Sequence, residues 1–405
     1  MRWSPFPAGS GARIALPDYR RCVGLPHDPV RASDAPMHRG VYPVDLCTVG
    51  QNVLAVGEDE GSAGSMPRQP FVPDGFRDRP FSQSEALKNG LTVHMLNGPA
   101  WKRVLPRVWV HRDHQMSDAD RILAASLAMP ARAQLSNISR IQALGLDVGD
   151  VFPVHFTVAG DLHLDLPDVF LHRTKVLPPT DETGVTPTAA FIQYCADARL
   201  IDAIKIGDWL LHRRHMTTIG LAELARRDKW RPGARQALRV LPHLDARSRS
   251  MPESEVRVML VFSGLPAPEV NVSLVVDEEL IGIVDLLVRC VMLALEYEGR
   301  QHAGTIQQFN RDIHRYAAFR RHALEYLQIT KEVLDRPKVM VRRVHARMSE
   351  LGYAGPAPVF AERWASLFQL IPTGPVRPSP FQTGKGDPRT AGRREGRKAH
   401  RHQAG

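Results

Sequence analysis

The chain has only four cysteines in 405 residues, at 22, 47, 195 and 290. They stand far apart with no CxxC pair, which excludes a zinc knuckle and a disulfide framework and fits a reducing cytoplasm. A long apolar run is missing too. The stretch 280–295 is broken by Asp285 and Arg289, and the N-terminal region is punctuated by Pro and Gly, so no membrane segment or signal core is expected. GxxxxGK[ST], GxGxxG and HExxH are all absent. Nucleotide hydrolysis, dinucleotide redox chemistry and zinc proteolysis therefore have no motif to rest on. The sequon Asn271-Val272-Ser273 lacks the secretory context that glycosylation requires.

What the chain does have is positive charge, +10 overall, which favours polyanionic partners such as DNA. Residues 371–405 concentrate it, with eight Lys or Arg against Asp387 and Glu395. That segment is rich in Pro, Gly and Arg and has no apolar period to offset the entropy of ordering, so a disordered basic tail is expected. Such a tail neutralises phosphates without reading bases.

A chain of this length predicts two or three domains. Residues 1–65 show no sustained period and are expected to be disordered, or to reflect a start placed upstream of Met66. Residues 66–130 predict a short helix at 82–89, another at 91–96 and a strand at 104–110, part of a winged helix. Ser117 and Asp120 form a capping box for a helix that stops at Pro130. Residues 131–249 form a middle α/β segment, with a helix at 136–144, strands at 154–158 and 168–172, long helical periodicity at 188–211 and an Arg-rich helical stretch at 217–248.

The succession after residue 250 carries the most information: helix to 263, strands 269–276, 280–288 and 291–298, helix 308–324, strand 326–330 and helix 337–351. The fold class is therefore mixed α/β with a C-terminal αβββαβα domain at 250–352. Turns at Asp277-Glu278 and Arg289-Cys290 make 270–298 an antiparallel meander. Asp285 lies within Ile283, Val284, Leu286 and Leu287, and Glu296 and Glu298 follow Met292 to Leu295. Buried acids are expensive unless paired or metal-bound. Alternation puts Glu296 and Glu298 on one face, about 7 Å apart, with Tyr297 on the other. Asp285 on the neighbouring strand completes a three-carboxylate metal site, whose hard oxygens suit Mg²⁺ or Mn²⁺ and phosphodiester hydrolysis. The plainer reading of the same pattern is a strand-end Asp285 paired with Arg289 and an edge-strand Glu296.

The run GIVDLLVRCVMLALEYEGRQH, with SMPESEVR before it and FNRDIHRYAAFRRHALEYLQIT after it, resembles a family of uncharacterised actinobacterial proteins. Their domain is similar to very-short-patch-repair endonucleases, within the restriction-endonuclease-like superfamily. The superfamily signature is an acid on one strand and Glu-x-Lys on the next. Asp285 matches the first acid, Glu296 the second, and Glu298 takes the lysine slot. In this branch the motif is Glu-x-Asp-Gly with a His three residues on; Gly299 and His302 match it, and Glu298 stands for Asp. The resemblance implies catalytic roles for Asp285, Glu296, Glu298, His302 and Glu253, with Arg257 one turn after Glu253, and roles for Arg311 and Asp312. Arg257, Arg311 and Arg315 are expected to contact DNA, although Arg315 with Arg320 and Arg321 equally suits an ordinary solvated face. Glu253 and Arg257, four apart on a helix, also suit a stabilising surface pair. The segment PFSQSEALKNGLTVHMLNGPAWKRVLPRVWV is similar to the winged-helix region of abortive-infection antitoxins. The expected activity is a Mg²⁺-dependent DNA endonuclease or nickase; the alternative is a non-catalytic, antitoxin-like DNA-binding regulator. A homodimer is left open.

Overall fold

In a computed structural model, residues 72–276, 279–298 and 324–373 are described. Residues 1–65, Gly299, His302, Arg311, Arg315, the expected helix at 308–324 and nearly all of the basic tail lie outside them. Among the described residues no helix is long and apolar enough to cross a membrane.

The N-terminal elements are β1 (Phe81–Ser82), α1 (Gln83–Lys88), α2 (Val93–Leu96), β2 (Trp101–Leu105) and β3 (Val108–His111). Ser82 and Thr92 cap the two helices by accepting from the N–H of Glu85 and Met95. The single strand expected at 104–110 is a hairpin instead. Pro106 cannot donate to a ladder, and Arg107 takes a left-handed φ of 62° that turns the chain. Three strands in the order β1-β3-β2 close over Phe76, Phe81, Leu91, Leu96, Trp101 and Trp109, a small separate core.

Next come α3 (Asp118–Ala128), β4 (Gln134–Leu135), α4 (Asn137–Gln142), β5 (Val154–Ala159), β6 (Val169–Thr174), β7 (Thr180–Asp181) and β8 (Gly184–Val185). The Ser117–Asp120 capping box opens α3 as expected. Strands β5 and β6 run parallel, and α3 packs apolar residues such as Ile122 onto their sheet. The periodicity at 188–211 resolves into two helices, α5 (Pro187–Tyr194) and α6 (Leu200–His212). They are followed by α7 (Thr218–Arg227) and α8 (Ala234–Val240). Helix α8 starts at Gly233, φ 86°, where a Cβ would lie 1.7 Å from the Ile192 carbonyl oxygen.

His155 and His172 face each other across β5 and β6, Nδ1 to Nε2, at 2.9 Å. Burial, then the neighbouring His172, pushes His155 down to about 4, and burial lowers His172 as well. The folded state thus holds a neutral pair, whereas in the unfolded chain His protonates near 6.5. This contribution to stability is complete above about pH 6.5 and is lost as pH falls toward about 4. The urea midpoint is expected to decline across that window, and His155→Phe to flatten the decline; an unchanged pH dependence in the variant would remove this pair as its source.

The last elements are α9 (Met251–Phe262), β9 (Glu269–Val276), β10 (Glu279–Val288), β11 (Leu293–Glu298), β12 (Glu325–Thr330), α10 (Lys331–Leu334), α11 (Pro337–Glu350) and α12 (Glu362–Ser366). Their sheet order is β12-β11-β10-β9, antiparallel from β9 to β11 and parallel between β11 and β12. The turn expected at 289–290 is a 3-10 turn over Arg289–Val291, with Met292 at a left-handed φ of 49°. Ser250 caps α9 by accepting from the Glu253 N–H.

One core spans the expected boundary at residue 250. Apolar residues of α5 to α8 (Phe191, Ile204, Leu210, Leu221) join Met259 of α9, Leu286 and Leu295 of the sheet, and Val341 of α11. Residues 367–371 also return to the middle segment. Leu200 and Ile201 donate to the carbonyls of Gln369 and Leu367, and Ile371 donates to that of Ala198. A second, smaller cluster lies on the sheet, around Val284, Leu287 and Ala294.

Candidate active site

The register of the four-stranded sheet brings polar residues together in one row. On β9 and β10, Val272 pairs with Val284 and Val270 with Leu286, so Asn271 and Asp285 lie opposite each other between them. On β10 and β11 the paired register runs from Val288–Leu293 to Leu286–Leu295 and ends there. The next positions outward are Asp285 and Glu296. Glu296 in turn pairs with Gln328 on β12. Asn271, Asp285, Glu296 and Gln328 therefore cross all four strands at one level.

The strands are irregular at this level for a visible reason. Asn271 has a left-handed φ of 48°. Val270 and Leu286 belong to the large core, whereas Val272 and Val284 pack with Leu287 and Ala294 on the smaller one. The alternation of faces thus breaks at Asn271 and Asp285. With the ladder ended, the Tyr297 N–H donates to Asp285 Oδ2 at 3.0 Å. A carboxylate takes the place of a ladder carbonyl and is oriented by it.

Along β11, Glu296 is buried at 5% exposure, Tyr297 is half-buried and Glu298 is exposed. Glu298 pairs in register with Thr330. The expected cluster of three carboxylates is not assembled: among the described residues no three His, Cys, Asp or Glu side chains come together as a metal-binding group. Asp285 is turned toward a backbone amide within the sheet, and Glu298 stands at the exposed end of its strand. What remains is a pair of carboxylate-bearing residues on neighbouring strands. That pair still fits Mg²⁺, which is commonly held by one or two carboxylates together with waters and substrate phosphates.

Glu253 belongs beside this row rather than in it. It is buried at 6% exposure, and its Oε2 accepts from the Arg249 N–H at 2.9 Å and from Asn271 Nδ2 at 2.7 Å. It therefore fixes the start of α9 to the strained residue of β9. The surface pair that its spacing with Arg257 also suits is not formed.

Arg257 is likewise internal, which corrects its expected place at a phosphate. Its Nη2 donates to Asp208 Oδ2 at 2.7 Å and to the His243 carbonyl at 2.8 Å. Its Nε has no acceptor among the described residues. Asp208 is 1% exposed and also accepts from the Asp245 N–H at 2.7 Å. Burial pushes the Asp208 carboxyl above the usual carboxylate range, against the pull of Arg257. The pair joins α6 to α9. Arg289, the plainer partner for Asp285, pairs instead with Glu269 at 2.7 Å.

Asn271, noted in the sequence only within a sequon, and Gln328 are the members of the row that the sequence did not single out as site residues. Both are polar residues within strands, but their alignment with Asp285 and Glu296 depends on strand register. A scan of protein-family models found none that matches the chain, and no curated protein matched it.

Proposed function

We propose that this protein is a metal-dependent endonuclease acting on DNA phosphodiesters. The observation that carries the reading is the placement of Asp285 and Glu296 side by side where the β10–β11 ladder ends. The order of α9, the β9–β11 meander, parallel β12 and α11 supports a restriction-endonuclease-like core.

A Mg²⁺ or Mn²⁺ ion held by Asp285 and Glu296 would supply positive charge to the scissile phosphate and lower the pKa of a bound water. Asp285 is held for that task by the Tyr297 N–H, and Asn271, fixed by Glu253, sets the shape of the strand beside it. Glu298, exposed two residues beyond Glu296, is assigned to take a proton from an attacking water, and His302 is assigned the same task. Arg311 and Arg315 are assigned to phosphate contacts, and the basic tail to non-specific attraction of DNA.

The test is cleavage of supercoiled plasmid by the full-length protein in Mg²⁺, Mn²⁺ or EDTA, with nicking expected only with metal. Binding should also register as stability: metal at about a hundred times its dissociation constant adds about 2.7 kcal/mol. A thermal shift with Mn²⁺ that is absent in Asp285→Asn is the expected result, and equal shifts in both proteins would place the metal elsewhere.

A second reading, a non-catalytic DNA-binding regulator, is favoured by two observations: Arg257 and Glu253 are engaged internally, and no three-acid group is assembled among the described residues. It predicts metal-independent duplex binding with no cutting.

A further inference from the structure

A cavity of about 170 Å³ lies between the β5–β6 sheet and helices α5 and α7, in the middle segment. Its polar wall is built from Asn137, Gln193 and Thr157. Asn137 is 8% exposed and is held at a left-handed φ of 52°. Its backbone N–H donates to Gln193 Oε1 at 3.2 Å, and Gln193 Nε2 donates to Thr157 Oγ1 at 2.9 Å. Its own Oδ1 accepts from the Ile138 N–H at 2.6 Å. These bonds fix the amide in one orientation and leave Nδ2 without an acceptor among the described residues. A strained backbone of this kind persists only where its surroundings over-determine it, and such positions gather at ligand sites.

The rest of the lining combines apolar Ala189, Ile192 and Leu224 with His172, Arg173 and Thr174 of β6. At the rim, Trp230 is 59% exposed, with the Arg231 guanidinium 4.2 Å above its ring. Asp197 also lines the rim, and its carboxylate makes no hydrogen bond to the described residues.

Size and polarity together select the occupant. A cavity of about 150 Å³ takes one benzene ring, and sites for drug-sized ligands begin near 300 Å³, so this one has room for a single six-membered ring. A ring with an acceptor on its edge would pair with the Asn137 amide, which a hydrocarbon ring would leave unmatched. Asp197, exposed at the rim, can accept from a donor on the same ring. We propose that this cavity binds a pyrimidine base, with a ring carbonyl accepting from Asn137 Nδ2 and a ring or amino N–H donating to Asp197. The base arrives either as a free nucleoside or extruded from DNA, in the way enzymes that act on bases take them out of the stack.

The experiment is calorimetric titration of the full-length protein with cytidine and thymidine, with adenosine as the size control. Sub-millimolar binding of a pyrimidine nucleoside is expected, with adenosine at least tenfold weaker. Asn137→Gly, which tolerates the left-handed backbone while removing the amide, should weaken binding at least tenfold. Ala196→Leu should fill the cavity and abolish binding, with Trp230→Ala as a surface variant that spares the core. No pyrimidine binding by the wild-type protein, or binding untouched by all three changes, overturns the proposal. A duplex carrying a fluorescent cytosine analogue separates the sources. Emission that rises with the wild-type protein and not with Ala196→Leu assigns the base to DNA, whereas binding of nucleosides alone assigns a free ligand. Neither measurement needs metal or cleavage, so their failure is distinct from failure of the nuclease reading.

Discussion

Asp285→Asn and Glu296→Gln are each expected to reduce metal-dependent nicking of supercoiled plasmid by at least about a hundredfold. A metal ion contributes several kcal/mol of transition-state stabilisation, and each 1.4 kcal/mol is about tenfold in rate. Both substitutions keep side-chain volume while removing the charge that holds a cation, and the amide introduced by Asp285→Asn retains an oxygen to accept from the Tyr297 N–H. The variants should therefore fold, as judged by circular dichroism and by unchanged elution in size exclusion. Glu298→Gln should have the milder effect, because its carboxylate is exposed and lies outside the row. Full nicking by both Asp285→Asn and Glu296→Gln would sink the assignment of the site; no nicking by the wild-type protein, with metal-free duplex binding retained, would move the reading to the regulator.

Arg257→Leu is expected to destabilise the protein by about 3–5 kcal/mol, the usual consequence of leaving one member of a buried ion pair without the other. Asp208 would remain at 1% exposure with the Asp245 N–H and the Ser254 hydroxyl as its donors. The carboxyl already lies above its ordinary range through burial, so in the variant it should rise further. A raised folded-state value means that stability is fuller in acid and is lost as pH rises through that value. The variant should therefore be least stable at neutral pH and recover part of its loss below the ordinary carboxylate range. The double replacement Asp208→Leu with Arg257→Leu should be milder than Arg257→Leu alone, since no uncompensated charge remains. Chemical denaturation at two pH values decides the matter. An Arg257→Leu protein of wild-type stability that has lost DNA affinity would return this arginine to a phosphate-binding role.

Much of the sheet was legible because its signals are local. Strand Glu269–Val276 falls on the boundaries that the sequence predicts, and Glu279–Val288, Leu293–Glu298 and Glu325–Thr330 lie within two residues of theirs. Apolar runs bounded by turn residues fix such elements without knowledge of their neighbours. The Ser117–Asp120 capping box was readable for the same reason. What escaped is what depends on packing between distant segments. The break in the 188–211 periodicity, at 195–199, reflects residues 367–371 pairing with the chain just before and at the start of α6. Arg257 carries the same charge whether it faces water or Asp208, and only the crossing of α6 and α9 decides which. The row through Asn271 and Gln328 required register, and the cavity at Asn137 required the contacts of β5 with α5.

The strap formed by residues 367–371 limits how this architecture can be rearranged. It brings the chain back, after the four-stranded sheet, to the head of α6, so the segment 250–352 is enclosed by the middle helices both in sequence and through the core they share. A transplanted cassette of 250–352 alone would carry Arg257 without Asp208 and a bare apolar flank where α6 had been. Any recombination that moves the acidic pair to a new host must carry the middle helices and the returning strap with it, and with them the cavity beside α5. The two are inherited as one piece.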